Sequence, residues 1–202
     1  MKKSFDRGVT FIELIVVIAI FGIIAGIILF NYAGFDSNIK LQNIMNDIAT
    51  TVKSAQISGS SGKFDTRMAG AIPAYRPTYG IYFQNDASGG SFTYFVDAPN
   101  SGLINDNAFN STFSEDIKIV AFQNGFKINK ICYDVKTPSI NGSSCDTSTT
   151  AQATATFTRP DLFAYLPDGL GGKYNDINIT VEAPNGMMKT LVIYASGAMS
   201  IE

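Results

Sequence analysis

Histidine and tryptophan are both missing from the 202-residue sequence, and cysteine occurs only twice, as Cys132 and Cys145. Without histidine the chain can form neither a Ser-His-Asp nor a Cys-His nucleophile system, and it has no imidazole to bind a metal. Two cysteines are also too few for a zinc site made of cysteine alone. These absences exclude a large share of enzyme mechanisms, and we predict that the chain is not an enzyme and carries no cofactor.

Neither positive nor negative charge is in clear excess. The chain has 15 lysines and arginines against 17 aspartates and glutamates, a net charge of -2. A protein that binds nucleic acid through its phosphates normally carries a clear basic excess. We therefore do not expect a nucleic-acid partner.

The longest uncharged run lies at the N-terminus, which reads MKKSFDRGVTFIELIVVIAIFGIIAGIILF. Residues 9–30 would measure about 33 Å as a helix, enough to cross the hydrocarbon core of a membrane. This run is too long for the apolar region of a secretory signal peptide. The basic residues before it predict that residues 1–8 are cytoplasmic and that the rest of the chain is exported.

The residues around Gly8 carry a more specific pattern. A short basic leader ends in Gly8, and Val9, Thr10, Phe11, Ile12 and Glu13 follow before the unbroken apolar run. This segment resembles the prepilin-peptidase site of type IV pilins and of the pseudopilins of type II secretion systems. The resemblance implies cleavage on the cytoplasmic side between Gly8 and Val9, followed by N-methylation of Val9. Most family members have Phe at that position, so Val9 departs from the pattern.

Glu13 is the one charge inside the span, where a charged residue costs about 2.5–3.5 kcal/mol at the centre of a bilayer. A negative charge near the start of a helix suits the helix dipole. The resemblance implies that Glu13 neutralises the new N-terminal amine of a neighbouring subunit, so that it is an assembly residue. The alternative is an interfacial carboxylate without a role.

The polar chain beyond the span keeps a helical pattern, and no proline occurs before Pro73. Apolar residues recur every three or four positions from Leu41 to Ala55, which is typical of an amphipathic helix. We predict one helix over residues 9–58, with a membrane half over about 9–30, that ends at the Gly-Ser-Ser-Gly stretch of residues 59–62. An exported β-rich domain would then occupy residues 59–202.

The remaining sequence alternates with period two in short runs separated by turn signals. We predict hairpins between residues 78–84 and 91–97, between 117–123 and 126–135 across Asn124-Gly125, and between 177–182 and 188–195. A short run covers residues 153–158, and Ser196-Gly197 turns into the last strand. The fold class is therefore α+β, a long N-terminal helix packed on one or two antiparallel sheets.

The order of these runs is similar to the globular domain of H-type minor pseudopilins and of T-type minor pilins. Arg76 with residues 79–81, the strand end at residues 156–160, and the closing hairpin of residues 191–201 carry this second resemblance. A major pilin or a G-type pseudopilin is the alternative within the family.

Two sets of side chains remain as candidate sites. Cys132 and Cys145 lie in an exported domain, where a disulfide is favoured, and two free thiols are the alternative. Asp161, Asp168 and Asp176 surround a glycine-rich loop and are weak candidates for calcium, but their spacing fits no EF-hand, and loop aspartates more often cap turns.

A group of strand aromatics could also serve as an exposed stacking surface, but cross-strand core packing is the expected role. These are Tyr75, Tyr79, Tyr82, Tyr94 and Phe95.

The sequence thus favours a structural subunit over two alternatives. It would be processed by prepilin peptidase and assembled through its helix into a type II secretion pseudopilus or a type IV pilus. Its partners would be the peptidase, other pilins or pseudopilins, an inner-membrane assembly platform and the lipid of the cytoplasmic membrane. The first alternative is an unprocessed, membrane-tethered binding module facing outward. The second is a tethered enzyme, which the missing histidine disfavours.

Overall fold

One long helix and ten strands make up the computed structural model, which describes residues 9–65, 78–97, 107–113, 115–135, 143–159, 162–166 and 174–202. Helix α1 covers Phe11–Ser61. Its 51 residues correspond to a length of about 77 Å. The fold is α+β, as the sequence predicts.

Helix α1 extends three residues beyond the predicted end at residue 58. Gly59 was read as part of the terminator, but it lies inside the helix, where a side chain would place its Cβ 2.2 Å from the carbonyl oxygen of Phe157. Gly59 therefore permits close packing against a strand. The helix ends instead at Gly62, whose φ of 64° and ψ of 40° form the left-handed cap that glycine adopts without strain.

The strands form two five-stranded antiparallel sheets. The first has the order β3-β2-β1-β6-β7, and the second has the order β10-β9-β8-β4-β5. The strands are β1 Thr78–Gln84, β2 Ser91–Asp97, β3 Asp116–Ala121, β4 Lys127–Val135, β5 Ser143–Asp146, β6 Gln152–Phe157, β7 Ala164–Tyr165, β8 Tyr174–Glu182, β9 Met188–Tyr194 and β10 Met199–Ile201. A short 3₁₀ turn covers Ser111–Phe113.

Two of the three predicted hairpins are present. Strands β1 and β2 pair from Thr78 opposite Asp97 to Gln84 opposite Ser91. Strands β8 and β9 pair down to Glu182 opposite Met188, and β9 continues through the Ser196-Gly197 turn into β10.

The predicted hairpin across Asn124-Gly125 is wrong. Both residues do adopt positive φ, 58° and 80°, as a tight turn requires. The strands on either side nevertheless belong to different sheets, because β3 pairs with β2 and β4 pairs with β8. The buried side chains of Phe122 and Phe126 flank this turn and join the core, so the chain crosses from one sheet to the other there.

The core lies where the C-terminal half of α1, which we call the upper half, packs against both sheets. Leu41, Met45, Ile48, Val52 and Ala55 are at most 1% exposed, which is the amphipathic stripe that the sequence predicts. They meet inward-facing residues of the first sheet, among them Tyr79, Ile81, Phe83 and Phe92, and of the second, among them Ile131, Ile179 and Leu191.

Strand β9 runs alongside α1 and fixes the orientation of the domain. At its start, Lys189 Nζ donates a hydrogen bond to the side-chain oxygen of Gln42. Beyond its end, the carbonyl oxygen of Gly197 accepts one from Gln56 Nε2 at 3.3 Å. The start of β9 is therefore at the end of the domain nearest the N-terminal half of α1, which we call the proximal end. The opposite end is the distal end.

Candidate functional site

The N-terminus of α1 is closed by a reciprocal pair of side chains. Thr10 is the N-cap residue, and its Oγ1 accepts a hydrogen bond from Glu13 N at 3.4 Å. In return, Glu13 Oε2 accepts hydrogen bonds from Thr10 N at 2.8 Å and Thr10 Oγ1 at 2.9 Å. This arrangement is a capping box, in which two otherwise unpaired backbone groups at the helix start are satisfied by side chains.

The capping box gives Glu13 a structural role within its own chain that the sequence analysis overlooked. The signal was present, because Thr10-Phe11-Ile12-Glu13 follows the Ser/Thr-x-x-Glu pattern that marks a helix start. All three bonds lie downstream of the Gly8–Val9 peptide bond. The two bonds that reach the carboxylate both end on Oε2, and Oε1 of Glu13 makes no hydrogen bond to any residue in the described part of the chain.

No residue of the described chain covers the apolar side chains that follow Glu13. A stretch of 18 residues, Phe11–Ile28, is long and apolar enough to cross a membrane, and none of it is buried within the chain. Its large side chains range from 46% exposed at Ile15 to 78% exposed at Phe11. Such a surface is stable in a bilayer or against other apolar helices, but not in water.

Gly22 and Gly26 are spaced four residues apart on this uncovered surface. A Cβ added to either would meet no described atom within 4 Å outside its own turn of helix. Within the part of the chain that the structure describes, no close packing therefore requires these two glycines. Small residues at this spacing allow a second helix to approach closely in a membrane.

Of the three residues predicted for cleavage and assembly, Val9 and Glu13 fall within the described chain, and Gly8 lies outside it. Val9 precedes the N-cap and is exposed. Only the N-cap residue Thr10 separates Val9 from the first helical residue, Phe11. Val9, the residue after the predicted cleavage point, therefore lies two positions before α1.

Cys132 and Cys145 face each other across β4 and β5 with their Cα atoms 4.0 Å apart, and the structure joins their sulfurs. The serine- and threonine-rich sequence around Cys145 predicts a loop, whereas the structure places this cysteine on the short edge strand β5. Cys132 is buried on β4, whereas Cys145 is exposed on β5. The disulfide therefore links the edge strand to its neighbour in the second sheet. That it forms in the exported protein stays a prediction.

Only one of the three calcium candidates lies in the described chain, so calcium binding stays a prediction. Asp161 and Asp168 lie outside the described residues. Asp176 lies on β8, where its Oδ1 accepts a hydrogen bond from Asn178 Nδ2 at 2.7 Å. Burial raises the pKa of Asp176, and the nearby charge of Asp134 raises it further, while the bond from Asn178 acts in the opposite direction. Across the described ranges, no three histidine, cysteine, aspartate or glutamate side chains could hold a metal together.

The four aromatic candidates in the described chain pack within the domain and do not form an exposed stacking surface. Tyr79 and Phe95 are fully buried, and Tyr94 packs at the edge of the core. Tyr82 contacts the ring of Phe109 at 4.9 Å on the other face of the first sheet. The remaining candidate, Tyr75, lies outside the described residues.

A family model described as the prokaryotic N-terminal methylation motif matches residues 3–29. No curated protein and no solved structure matches the chain. The matched segment confirms the resemblance of the N-terminus to pilins and pseudopilins, and it indicates a type IV pilin-like protein that is processed as a prepilin. The motif implies a prepilin peptidase and other pilins as partners. The globular domain lies outside the match, so its resemblance to the H-type and T-type subunits stays a prediction.

Proposed function

We propose that the chain is a structural subunit of a type II secretion pseudopilus or a type IV pilus. Prepilin peptidase hydrolyses the Gly8–Val9 bond on the cytoplasmic side of the membrane and methylates the new amine of Val9. Phe11–Ile28 holds the processed subunit in the cytoplasmic membrane with the β-rich domain outside. An inner-membrane assembly platform then extracts the subunit into a filament, in which its apolar helix surface packs against those of other subunits.

One observation carries this proposal: the matched methylation motif ends in a helix whose apolar surface is uncovered. The motif covers residues 3–29, and the exposed span covers Phe11–Ile28. A plain membrane anchor needs apolar length but no particular residues before it. A glycine at the end of a basic leader, with a glutamate five residues later, supports processing followed by assembly.

The geometry at Glu13 supports two separate roles for its two carboxylate oxygens, one in capping the helix and one in pairing with a neighbouring subunit. Oε2 holds Thr10 and caps the helix, whereas Oε1 has no hydrogen-bond partner in the described chain. The amine of Val9 in a neighbouring subunit can therefore pair with Glu13 without breaking the cap. Two charges that are each costly in lipid become tolerable when they are paired and hydrogen-bonded.

Substitutions at Glu13 and Thr10 test this proposal because they separate charge from capping. Glu13→Gln keeps a side-chain oxygen for the capping box but removes the charge. Removing one partner of a buried ion pair costs about 3–5 kcal/mol, so incorporation into sheared filaments should fall by more than about tenfold. Thr10→Ala is the matched control, since it weakens the cap and keeps the charge, and it should assemble nearly as well as the unmodified chain.

The reverse ranking would overturn this role of Glu13. If Glu13→Gln entered filaments normally while Thr10→Ala did not, Glu13 would act only as a helix cap. Protein levels in the membrane, measured on the same cells, separate an assembly defect from a loss of the subunit.

A second candidate function is favoured by the capping box itself. Because Thr10 already gives Glu13 two hydrogen bonds, the glutamate needs no neighbouring subunit to explain it. The chain would then be an unprocessed binding module tethered to the membrane, with residues 1–8 intact. If the chain were such a module, Glu13→Gln would leave its binding unchanged.

A further inference from the structure

The proximal end of the domain exposes an apolar surface that the core does not explain. Met187 is 39% exposed and Met188 is 51% exposed, and both lie where the β8–β9 turn enters β9. On α1, Phe35 is 64% exposed and Ile39 is 45% exposed. We call these four residues the proximal patch.

The level of the β8–β9 turn along α1 follows from the path of β9. Lys189 meets α1 at Gln42, and Gly197 meets it at Gln56, so β9 ascends beside the helix. The turn precedes Lys189 and therefore lies below the level of Gln42. At about 3.3 Å per strand residue and 1.5 Å per helix residue, Met187 is level with roughly residue 38 of α1.

The two helical members of the proximal patch lie on the same side of α1 as the turn. Phe35 is seven residues before Gln42, which is close to two full turns, so both share one face of the helix. Ile39 is one turn beyond Phe35 on that side. Since helical side chains lean toward the N-terminus, Phe35 leans toward the span.

From these positions we infer that the proximal patch rests on the outer leaflet of the membrane and tilts α1 toward β9 before assembly. The inference depends on the proposed function, because it requires Phe11–Ile28 to be inserted. An upright helix would hold the turn about 15 Å above Ile28, whereas tilts of about 20–40° are ordinary for membrane helices. Tilting toward β9 brings Phe35 into the headgroup region first and the two methionines next.

The charges at the proximal end do not oppose this contact. Lys40 pairs with Asp36 at 2.6 Å, and Lys127 pairs with Glu182 at 3.4 Å. Lys189, next to Met188, donates to the neutral side chain of Gln42 and adds a positive charge. Such a rim can approach the headgroup layer without repulsion from an anionic leaflet. The leaflet is also the surface that the continuous helix already places nearest to the patch.

The distal part of the domain supplies a matched control. Leu162 is 59% exposed and Phe163 is 64% exposed, and the carbonyl oxygen of Leu162 accepts a hydrogen bond from Gln56 Nε2 at 3.0 Å. This distal pair is at least as apolar and exposed as Met187 and Met188, but it lies level with Gln56, about 27 Å further along α1 from the span. A general affinity for lipid would involve both pairs, and docking by the proximal patch would involve only one.

Site-specific fluorescence quenching in nanodiscs tests the inference on the full chain. The discs contain phosphatidylcholine and phosphatidylglycerol with a nitroxide on the lipid headgroup. One fluorophore is placed on Asn185→Cys in the β8–β9 turn and another, in a separate protein, on Phe163→Cys. Intact mass first establishes that Cys132 and Cys145 are joined to each other, so that under non-reducing conditions only the added cysteine reacts. Quenching should be several-fold stronger at position 185 than at position 163.

Equal quenching at the two positions would overturn the inference. A blue shift at position 185 without lipid quenching, which grows with the number of chains per disc, would also overturn it and assign the patch to a second copy of the chain. A third probe on Ile20→Cys, with the nitroxide on the lipid tail, reports insertion of the span. Loss of that signal would count against the proposed function itself, whereas a normal signal there with no quenching at position 185 rejects only the docking.

Substitution of the patch checks that its side chains cause the contact. With the probe at position 185, Met187→Ser together with Met188→Ser should reduce quenching to the level seen at position 163. Leu162→Ser together with Phe163→Ser should leave it unchanged. Quenching that persists without the two methionines would show that the turn approaches the membrane for another reason, and the inference would be wrong.

Discussion

The two halves of α1 are one continuous helix in two different surroundings. In the upper half, the apolar residues between Leu41 and Ala55 follow a spacing of three and four and are buried against both sheets. In the lower half, Phe11–Ile28 is apolar on all sides apart from Glu13, and its large apolar side chains are exposed. The backbone is the same in both halves, so the pattern of apolar side chains is what indicates the surroundings of each half.

The difference also separates stability from function. The upper half contributes to the free energy of unfolding of the domain, since its side chains fill the core. Phe11–Ile28 contributes nothing to the core of the described chain, so under the proposed function it acts through membrane insertion and assembly. Substitutions in the two halves should therefore affect different measurements.

Truncation of a core residue in the upper half should have the largest effect. Ile48 is fully buried, and Ile48→Ala should lower the free energy of unfolding of the domain by about 2–5 kcal/mol, because it leaves a cavity. Urea unfolding of the full chain in detergent, followed by circular dichroism, measures this change. The matched variant Ile20→Ala should leave the same transition unmoved. An equal loss in both variants would mean that the two halves are not energetically separate.

A charge in the lower half should have the opposite profile. Ile20→Asp places a carboxylate near the middle of the span, where it costs about 2.5–3.5 kcal/mol of insertion free energy. The membrane-bound fraction of the protein should fall, while the urea midpoint of the domain stays the same. Carbonate extraction of membranes measures the first quantity. Normal insertion of this variant would contradict the assignment of Phe11–Ile28 as the span.

The disulfide offers a perturbation of the domain that is remote from both halves of the helix. Replacing Cys132 and Cys145 with serine should lower the free energy of unfolding by about 3 kcal/mol in the chain-entropy account, because the bridge closes a short loop. The effect should be matched by adding a reductant to the unmodified protein and should not alter insertion. If the reductant changed neither the mass nor the urea midpoint, the two cysteines would be free thiols.

A titration within the second sheet should have the smallest effect. The raised pKa of Asp176 means that the folded domain favours the protonated carboxyl more than the unfolded chain does. Its contribution is therefore fully present below the ordinary aspartate pKa and is lost as pH rises through the raised value. Asp176→Asn should make the melting temperature less sensitive to pH across this window. An unchanged pH profile would show that Asp176 does not carry this dependence.

Much of the fold could be predicted because local patterns were sufficient for it. Both halves of α1 are visible in the spacing of apolar residues, and β1, β2, β8 and β9 follow from alternation between clear turn signals. Residues 78–84 and 91–97 were predicted with the bounds that the structure has.

The errors occur where a local signal had more than one tertiary outcome. Asn124-Gly125 forms the turn that its residues favour, but the turn does not decide which sheet receives the next strand. That choice depends on Phe122 and Phe126 entering the core and on β8, which lies some 50 residues further along the chain and pairs with β4. Strand β5 was missed because its serine-rich residues have low strand propensity, and its pairing depends on β4 and on Cys132.

At the candidate site, the sequence supplied the charge but not its geometry. Glu13 was identified as the one carboxylate in an apolar run, whereas its bonds to Thr10 became apparent only in the structure. Thr10-Phe11-Ile12-Glu13 fits both a capping box within one chain and a glutamate that pairs with a neighbouring subunit, so the pattern alone does not decide between them.

The central claim is that the chain is a processed subunit, and its N-terminal residue tests that claim most directly. The full chain is produced with and without a prepilin peptidase, and intact mass and terminal peptide sequencing identify the first residue. We expect a chain that begins at Val9, with an added methyl group, only when the peptidase is present. A chain that still begins at Met1 in its presence would contradict the account and leave the N-terminus as a plain membrane anchor.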